Sequence, residues 1–330
     1  MAGTIAHNHD SQMHGHDAHA DDSVHAGNPV KRAEHMALLD LVPHAAATHR
    51  AVNNGSWFDP NTWEGKRIPS AGARVLIPEG ISLTYDGESN ASLKTLRVDG
   101  ALTFAADRNT QMVVDTFVTN MGSTLRIGTP ENPVQADKRT RILIDGSEAI
   151  DRTWDPTLLS RGIITHGKVE IHGAEKTEFV ALQGNARAGD SELVLKEVPQ
   201  GWRIGDRLVL GGTSHNPNGS DADNTRFQDE VLTITAIDGR RIQFINNDVD
   251  SGNPAENPNV LRFDHAAPPG FEAYDLQLYV ANTSRNVSIE TLNATEVPIA
   301  QRGHVMFMHN PDVQVHNAGF YNLGRSDKST

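Results

Sequence analysis

Hydrophobic positions change their spacing twice along the chain, and each change predicts a different kind of element. Up to about residue 28 there is no apolar pattern at all, only Asp, Ala, Ser, Gly and a run of histidines. Ala33 to Val42 (Ala-Glu-His-Met-Ala-Leu-Leu-Asp-Leu-Val) then carries its apolar side chains at helical spacing and stops before Pro43, which predicts one helix capping a β-domain. From Thr48 onward the period becomes two. Arg74-Val-Leu-Ile77-Pro78 reads as a short buried strand stopped by proline. Thr95-Leu-Arg-Val-Asp-Gly100 recurs as Thr124-Leu-Arg-Ile-Gly128, and more loosely as Leu143 to Gly146 and Val169 to Gly173. Val287-Ser-Ile289 and Val313-Gln-Val315 repeat the pair near the other end. One short strand and one glycine turn per repeat cannot bury an apolar face alone, so the units must stack. The expected class is all-β, a right-handed parallel β-helix, although a β-sandwich produces a recurrence just as degenerate.

The rhythm breaks between residues 180 and 265. Leu193-Val-Leu195, Arg207 to Leu210 and Glu230 to Ile237 are longer-spaced strands, and Asp238-Gly239 is a hairpin signal leading into Arg240 to Phe244. A small antiparallel β-barrel or sandwich inserted between coils is expected, with Arg262 to His265 re-entering the ladder. The divisions are therefore a disordered His-rich tail (1–28), a helix and linker (29–47), a first β-domain (48–179), the insert (180–265) and further coils (266–330).

Composition narrows the partners. In 330 residues there are 28 Gly and 16 Pro but only 5% aromatics, which suits short strands and many turns. A net charge of −13 argues against nucleic acid. It also repels an acidic polysaccharide unless a local basic groove or a bound cation intervenes. The absence of cysteine removes disulfides and thiolate metal sites. No apolar run approaches the ~18 residues of a membrane span, so no transmembrane segment is expected. Met1 to His7 lacks the basic and apolar regions of a signal peptide.

Two of the four tryptophans, Trp57 and Trp63, flank Asp59-Pro60, and both are expected to be buried against the first strands. The series Trp57-x-Asp59-Pro60-x-Thr62-Trp63-x-Gly65, Pro69-x-x-Gly72 and Val75-x-Ile77-Pro78-x-Gly80 resembles the opening of the G8 (eight-glycine) domain. Gly201-Trp202-x-x-Gly205-Asp206, Val280-Ala-Asn282-x-x-Arg285-Asn286-Val287, Gly303 to His309 and Phe320 to Arg325 extend the resemblance over roughly residues 50 to 330. It is a resemblance to the cell-migration-inducing and transmembrane hyaluronidases, to fibrocystin and to bacterial G8-domain surface proteins. It implies a partly β-helical fold, a secreted, periplasmic or cell-surface location and, in some animal members, hyaluronan cleavage. No cap is visible after Gly324, so the expected context is a longer parent chain in which the β-helix continues.

The favoured function is therefore an extracellular carbohydrate-active or carbohydrate-binding β-helix protein with a polysaccharide partner. If it is an enzyme, it is a glycosidase or lyase. The alternatives are a non-catalytic adhesion module and a metal-binding protein. Aligning the apolar pairs places His172, Glu290 and His316 outward and one above another, as a candidate catalytic column. Asp264 and His265 are a weaker acid–base candidate, and Arg325 and Asp327 a candidate sugar contact. For metals, His304, Met306 and Met308 share one face of a strand next to His309, a soft set suited to copper. His7, His9, His14 and His16 suit zinc or copper. A calcium ion neutralising uronates is the remaining cofactor expectation.

Overall fold

The structure is a computed structural model that describes residues 27–222, 224–248, 257–267, 270, 276–309 and 312–325. It is an all-β protein in which parallel sheets wrap one elongated core, as in a β-helix. Three ladders run along it. The first stacks residues 110–114 on Thr140–Ile144, Val287–Thr291 and Ala318–Tyr321. The second stacks Arg74–Ile77, residues 95–98, residues 116–119, Gly162–Thr165 and His304–Phe307. The third stacks Ser82–Tyr85, Ala101–Phe104, Thr124–Ile127, Lys168–His172 and Val313–His316. The long strands Glu88–Val98 and Thr110–Thr119 each supply two ladders, which is why the chain's repeat looked irregular.

Alternation sends like residues to like places on successive coils. Val75, Leu96, Phe117, Ile163 and Val305 are register partners, as are Leu83, Leu102, Leu125, Val169 and Val313. Fully burying one such side chain is worth ~1.5–3 kcal/mol, and the stack repeats it at every coil. Even the polar positions pair, with Thr110 Oγ1 donating to Thr140 Oγ1 at 3.0 Å in the interior. Gly100 is needed where coils turn closely: a Cβ there would lie 2.2 Å from the Ile81 carbonyl oxygen.

Trp57 and Trp63 plug the start of this core at 2% and 1% exposure. Their rings meet edge to face at 4.9 Å, and Trp63 Nε1 donates to the Trp57 carbonyl at 2.7 Å. Tyr85 and Phe104 extend the aromatic cluster.

The helix begins earlier than its apolar run, at Pro29, because Asn28 caps it by accepting from the Lys31 amide and proline suits the first helical position. It spans Pro29–Leu41. Leu38 and Val42 cover the outer side of the second ladder, on Val118, Ile164, Met306 and Met308. Gly162–Thr165 is therefore buried on both sides and shows no alternation. Arg97 Nη1 donates to the Val42 carbonyl, and Trp154 Nε1 to that of Leu41.

Between the third ladder and the first, the chain leaves the coils and builds an antiparallel sheet. Its order is Phe179–Ala181, Tyr279–Asn282, Arg207–Leu210, Glu230–Asp238, Arg241–Asn246 and Glu192–Val194. It has its own core, with Leu208, Leu232, Ile242 and Val280 among its buried members. The segment Arg262 to His265 does not re-enter the parallel ladder: His265 bridges to Ala186 within the insert, and Tyr279–Asn282 also belongs there. The reason is chemical. Glu230 and His265 are both fully buried, with Oε1 and Nε2 2.9 Å apart, and His265 Nδ1 lies 3.0 Å from the Gly211 carbonyl. Glu230 also accepts from the amides of Arg262 and Phe263 and from Asn246. A buried carboxylate demands such a shell, and the segment is held in the insert to provide it.

Candidate functional site: an arginine-lined groove

Where the insert returns to the coils, the two regions enclose a groove of about 670 Å³. Among the described residues four arginines line it, Arg139, Arg141, Arg207 and Arg285, with one carboxylate, Glu290; from outside the lining Glu88 pairs with Arg139 at 3.2 Å and Glu178 with Arg285 at 3.9 Å. Each wall follows from local sequence. In Thr140–Ile144 the side chains of Thr140, Ile142 and Ile144 are buried, so Arg141 faces outward. On the next coil Val287 and Ile289 point in, and Ser288 and Glu290 point into the groove. Arg141 Nε donates to Glu290 Oε1 at 2.9 Å, and Ser288 Oγ donates to the same oxygen at 3.2 Å. Tyr321 sits opposite Glu290 on the following coil. Its hydroxyl donates to the Thr283 carbonyl at 2.8 Å, and burial raises its pKa above the ordinary phenol value.

The opposite wall is the insert. Arg207 opens its strand, with its amide held by Ser284 Oγ at 2.8 Å and its carbonyl by the Thr283 amide at 2.9 Å. Among the described residues its guanidinium makes no ion pair. Arg285 Nη1 donates to the carbonyls of Asn282 and Ser284 at 2.8 and 2.9 Å. The crossover is pinned by two asparagines. Asn282 Nδ2 donates to Asp206 Oδ2 at 2.8 Å, and Lys176 pairs with that oxygen at 2.7 Å. Asn286 Nδ2 faces the carbonyls of Val134, Gln135 and Lys138, while its Oδ1 accepts from Ala174. The Gly205-Asp206 and Asn282-x-x-Arg285-Asn286 patterns thus meet in space, and together they dock the insert on the coils.

The expected site residues are distributed differently. His172 and His316 do stack, as register partners on adjacent coils with rings 4.9 Å apart and nearly parallel. Burial, and next the neighbouring His316, lower the pKa of His172. Glu290 is not in that column. It pairs with Leu143 and Tyr321 on the first ladder, whereas the histidines stand on the third, because Val287 and Ile289 align with Thr140 and Ile142 rather than with Val169 and Ile171. Asp264 and His265 form no accessible dyad. Asp264 Oδ1 accepts from the Ala188 amide, and His265 is sealed against Glu230.

The His304, Met306 and Met308 stripe does not lie open to solvent. Met308 is buried at 6% exposure, and Met306 packs beside it under the helix. His304 Nδ1 instead lies 3.0 Å from Arg325 Nη2, and His309 Nε2 lies 3.2 Å from Glu34 Oε2. Arg325 is half-buried and also donates to the carbonyls of Leu158 and Ser160. Asp327 and the tail histidines His7, His9, His14 and His16 lie outside the described residues. Among the described residues, no three His, Asp or Glu side chains form a metal-holding group, and no helix is long and apolar enough to cross a membrane.

The groove arginines had little sequence signal. Only Arg139-Thr-Arg141 is a local pair; Arg207 lies 66 residues further on, beyond the start of the insert.

Comparison with known proteins identifies a domain mostly in the first half of the chain. Residues 62–183 match the G8 domain, so the chain carries one. The match ends just after the first strand of the antiparallel sheet. Fibrocystin of Canis lupus familiaris is 26% identical over 211 residues, covering 60% of this chain and 5% of fibrocystin. Fibrocystin-L of Homo sapiens is 26% identical over 197 residues, covering 58% and 4%. A G8 domain-containing protein of Dictyostelium discoideum is 24% identical over 263 residues, covering 76% and 16%. The chain thus spans a small part of these much longer relatives. Among solved structures, the tailspike gp61 of Pseudomonas phage phi297 aligns over 64% of this chain and 24% of its own, at 13% identity and a TM-score of 0.22.

Proposed function

We propose that this chain is an extracellular binding module of a longer protein, built as a right-handed parallel β-helix with a docked insert, and that its groove takes an acidic polysaccharide. The observation that carries this reading is the concentration of Arg139, Arg141, Arg207 and Arg285 on one groove in a chain of net charge −13. Guanidinium groups pair bidentately with carboxylate and sulfate, and a groove focuses their field locally against the acidic remainder. Binding is favoured over cleavage because, among the described residues, Glu290 is the only carboxylate lining the groove and is held by Arg141 and Ser288. Hydrolysis of a glycosidic bond normally uses two carboxyl groups. Nor is Tyr321 set up as a base, since its hydroxyl proton is committed to Thr283 and its pKa is raised.

The test is a glycan array combined with a depolymerisation assay, each with and without calcium. The expected result is retention of uronate-containing or sulfated chains over neutral ones, unchanged by chelation, with no new reducing ends or unsaturated products. Retention of neutral chains alone would overturn the binding reading, and release of fragments would replace it with the enzymatic one.

A further inference from the structure

A second cavity, of about 230 Å³, opens where the first ladder turns into the second. Its floor is a column on successive coils. Lys94 stands beside Asp115, with Nζ to Oδ2 at 2.9 Å, and Asp145 follows Asp115 on the next coil. Thr116 Oγ1 donates to the other oxygen of Asp115. Asp145 accepts from Ser92 Oγ on one oxygen and from the Ser147 amide on the other. Desolvation raises its pKa, but these hydrogen bonds outweigh it and leave the value below the ordinary one. An ionised carboxylate has about four acceptor positions, so both aspartates keep capacity toward the cavity.

Acidic groups alone would make no site. Arg161 supplies the independent observation. It lines this cavity, is only 2% exposed, and its Nε has no hydrogen-bond partner. Among the described residues its guanidinium makes one hydrogen bond, a long one from Nη1 to the Gln301 carbonyl at 3.4 Å. A buried guanidinium left short of acceptors is costly, and a ligand oxygen in the cavity would lower that cost. The formal charges on the lining are two positive (Lys94, Arg161) and three negative (Asp115, Asp145, Glu148), so the cavity has none of the groove's cationic excess.

We infer that this cavity binds a neutral, hydroxyl-rich ligand, a single sugar residue, independently of the acidic-glycan groove. Sugar hydroxyls act as both donor and acceptor. They would donate to Asp115 and Asp145 and accept from Arg161, using both halves of an otherwise mismatched lining.

Saturation-transfer NMR and calorimetry of the whole chain with D-glucose, D-galactose, D-mannose and N-acetylglucosamine test this. At least one sugar should bind, with an affinity unchanged between low and high salt. Asp145→Asn should weaken it about tenfold, as expected when a site built for polar partners loses one. Ala71→Trp, a rim change at an exposed position, should abolish it without altering the melting curve, and Arg141→Ala in the groove should leave it intact. Failure of all four sugars to bind, binding that survives Ala71→Trp, or binding that falls steeply with salt would each overturn the inference. The groove reading stands or falls separately, because it is read on acidic chains and is salt-dependent.

Discussion

The coils and the insert are both β-structure, yet they are held together by different chemistry. The coils repeat one solution: apolar residues in register, such as Leu96, Phe117 and Ile163, with the Trp57–Trp63 plug at the start. The insert has a smaller core and a buried polar lock, Glu230 with His265, joining segments far apart in sequence. Stacked coils spread their stability over many like contacts between neighbouring units. A buried polar contact is less forgiving, because removing one partner leaves the other unsatisfied in the interior. The groove lies where the insert meets the coils, whereas the smaller cavity lies where the coils themselves turn.

Cutting the coils should have the largest effect. Phe117→Ala removes a fully buried ring from the middle of the stack and should cost about 4 kcal/mol. Calorimetry should show the main transition lowered, and an unchanged melting curve would contradict continuous stacking. Glu230→Ala should cost about 3 kcal/mol by leaving His265 Nε2, Asn246 Nδ2 and the amides of Arg262 and Phe263 without their buried acceptor. That loss should fall on the insert: hydrogen exchange should accelerate in Arg207–Leu210 and Glu230–Asp238 while residues 110–119 stay protected. Uniform acceleration would mean the two regions melt as one.

Trp63→Phe keeps the aromatic contact but leaves the Trp57 carbonyl without its donor. It should cost about 1 kcal/mol, read from denaturant midpoints, and it should act on the coils alone. The smallest effect concerns pH. The folded state holds His172 below its ordinary value of 6.5, so the unfolded chain takes up that proton first as pH falls. Its neighbours are His316, Glu170, Gln314 and Glu131, and the histidine repulsion adds to the burial penalty over the pull of the acids. Stability is therefore full above about pH 6.5 and declines below it. His172→Gln should flatten that decline, and an identical slope in the variant would show that another group sets it.

Much of the coil architecture was legible because it depends on local alternation. Thr95 to Gly100 and Thr124 to Gly128 declared their strands, and the tryptophan pair declared its plug. Which ladder a strand joins was not legible. Val287-Ser-Ile289 and Val169-Glu-Ile171 look alike, but one lies on the first ladder and the other on the third, so Glu290 was misplaced beside His172. The methionines misled for a related reason: a strand's outer face looks free until a helix from elsewhere covers it. The Glu230–His265 contact joins residues 35 apart, and the groove draws on arginines from both regions, so neither leaves a local pattern.

The claim that matters most is that the insert and the coils jointly form an anion-binding groove. Equilibrium binding of a uronate-containing chain such as hyaluronan or polygalacturonate, measured across a salt series, tests it most directly. Wild type should bind with an affinity that falls steeply as salt rises. Arg141→Ala on the coils and Arg207→Ala on the insert should each weaken binding about tenfold or more and flatten the salt dependence. Salt-independent binding, or a loss confined to one wall while the other arginine proves neutral, would contradict a shared groove.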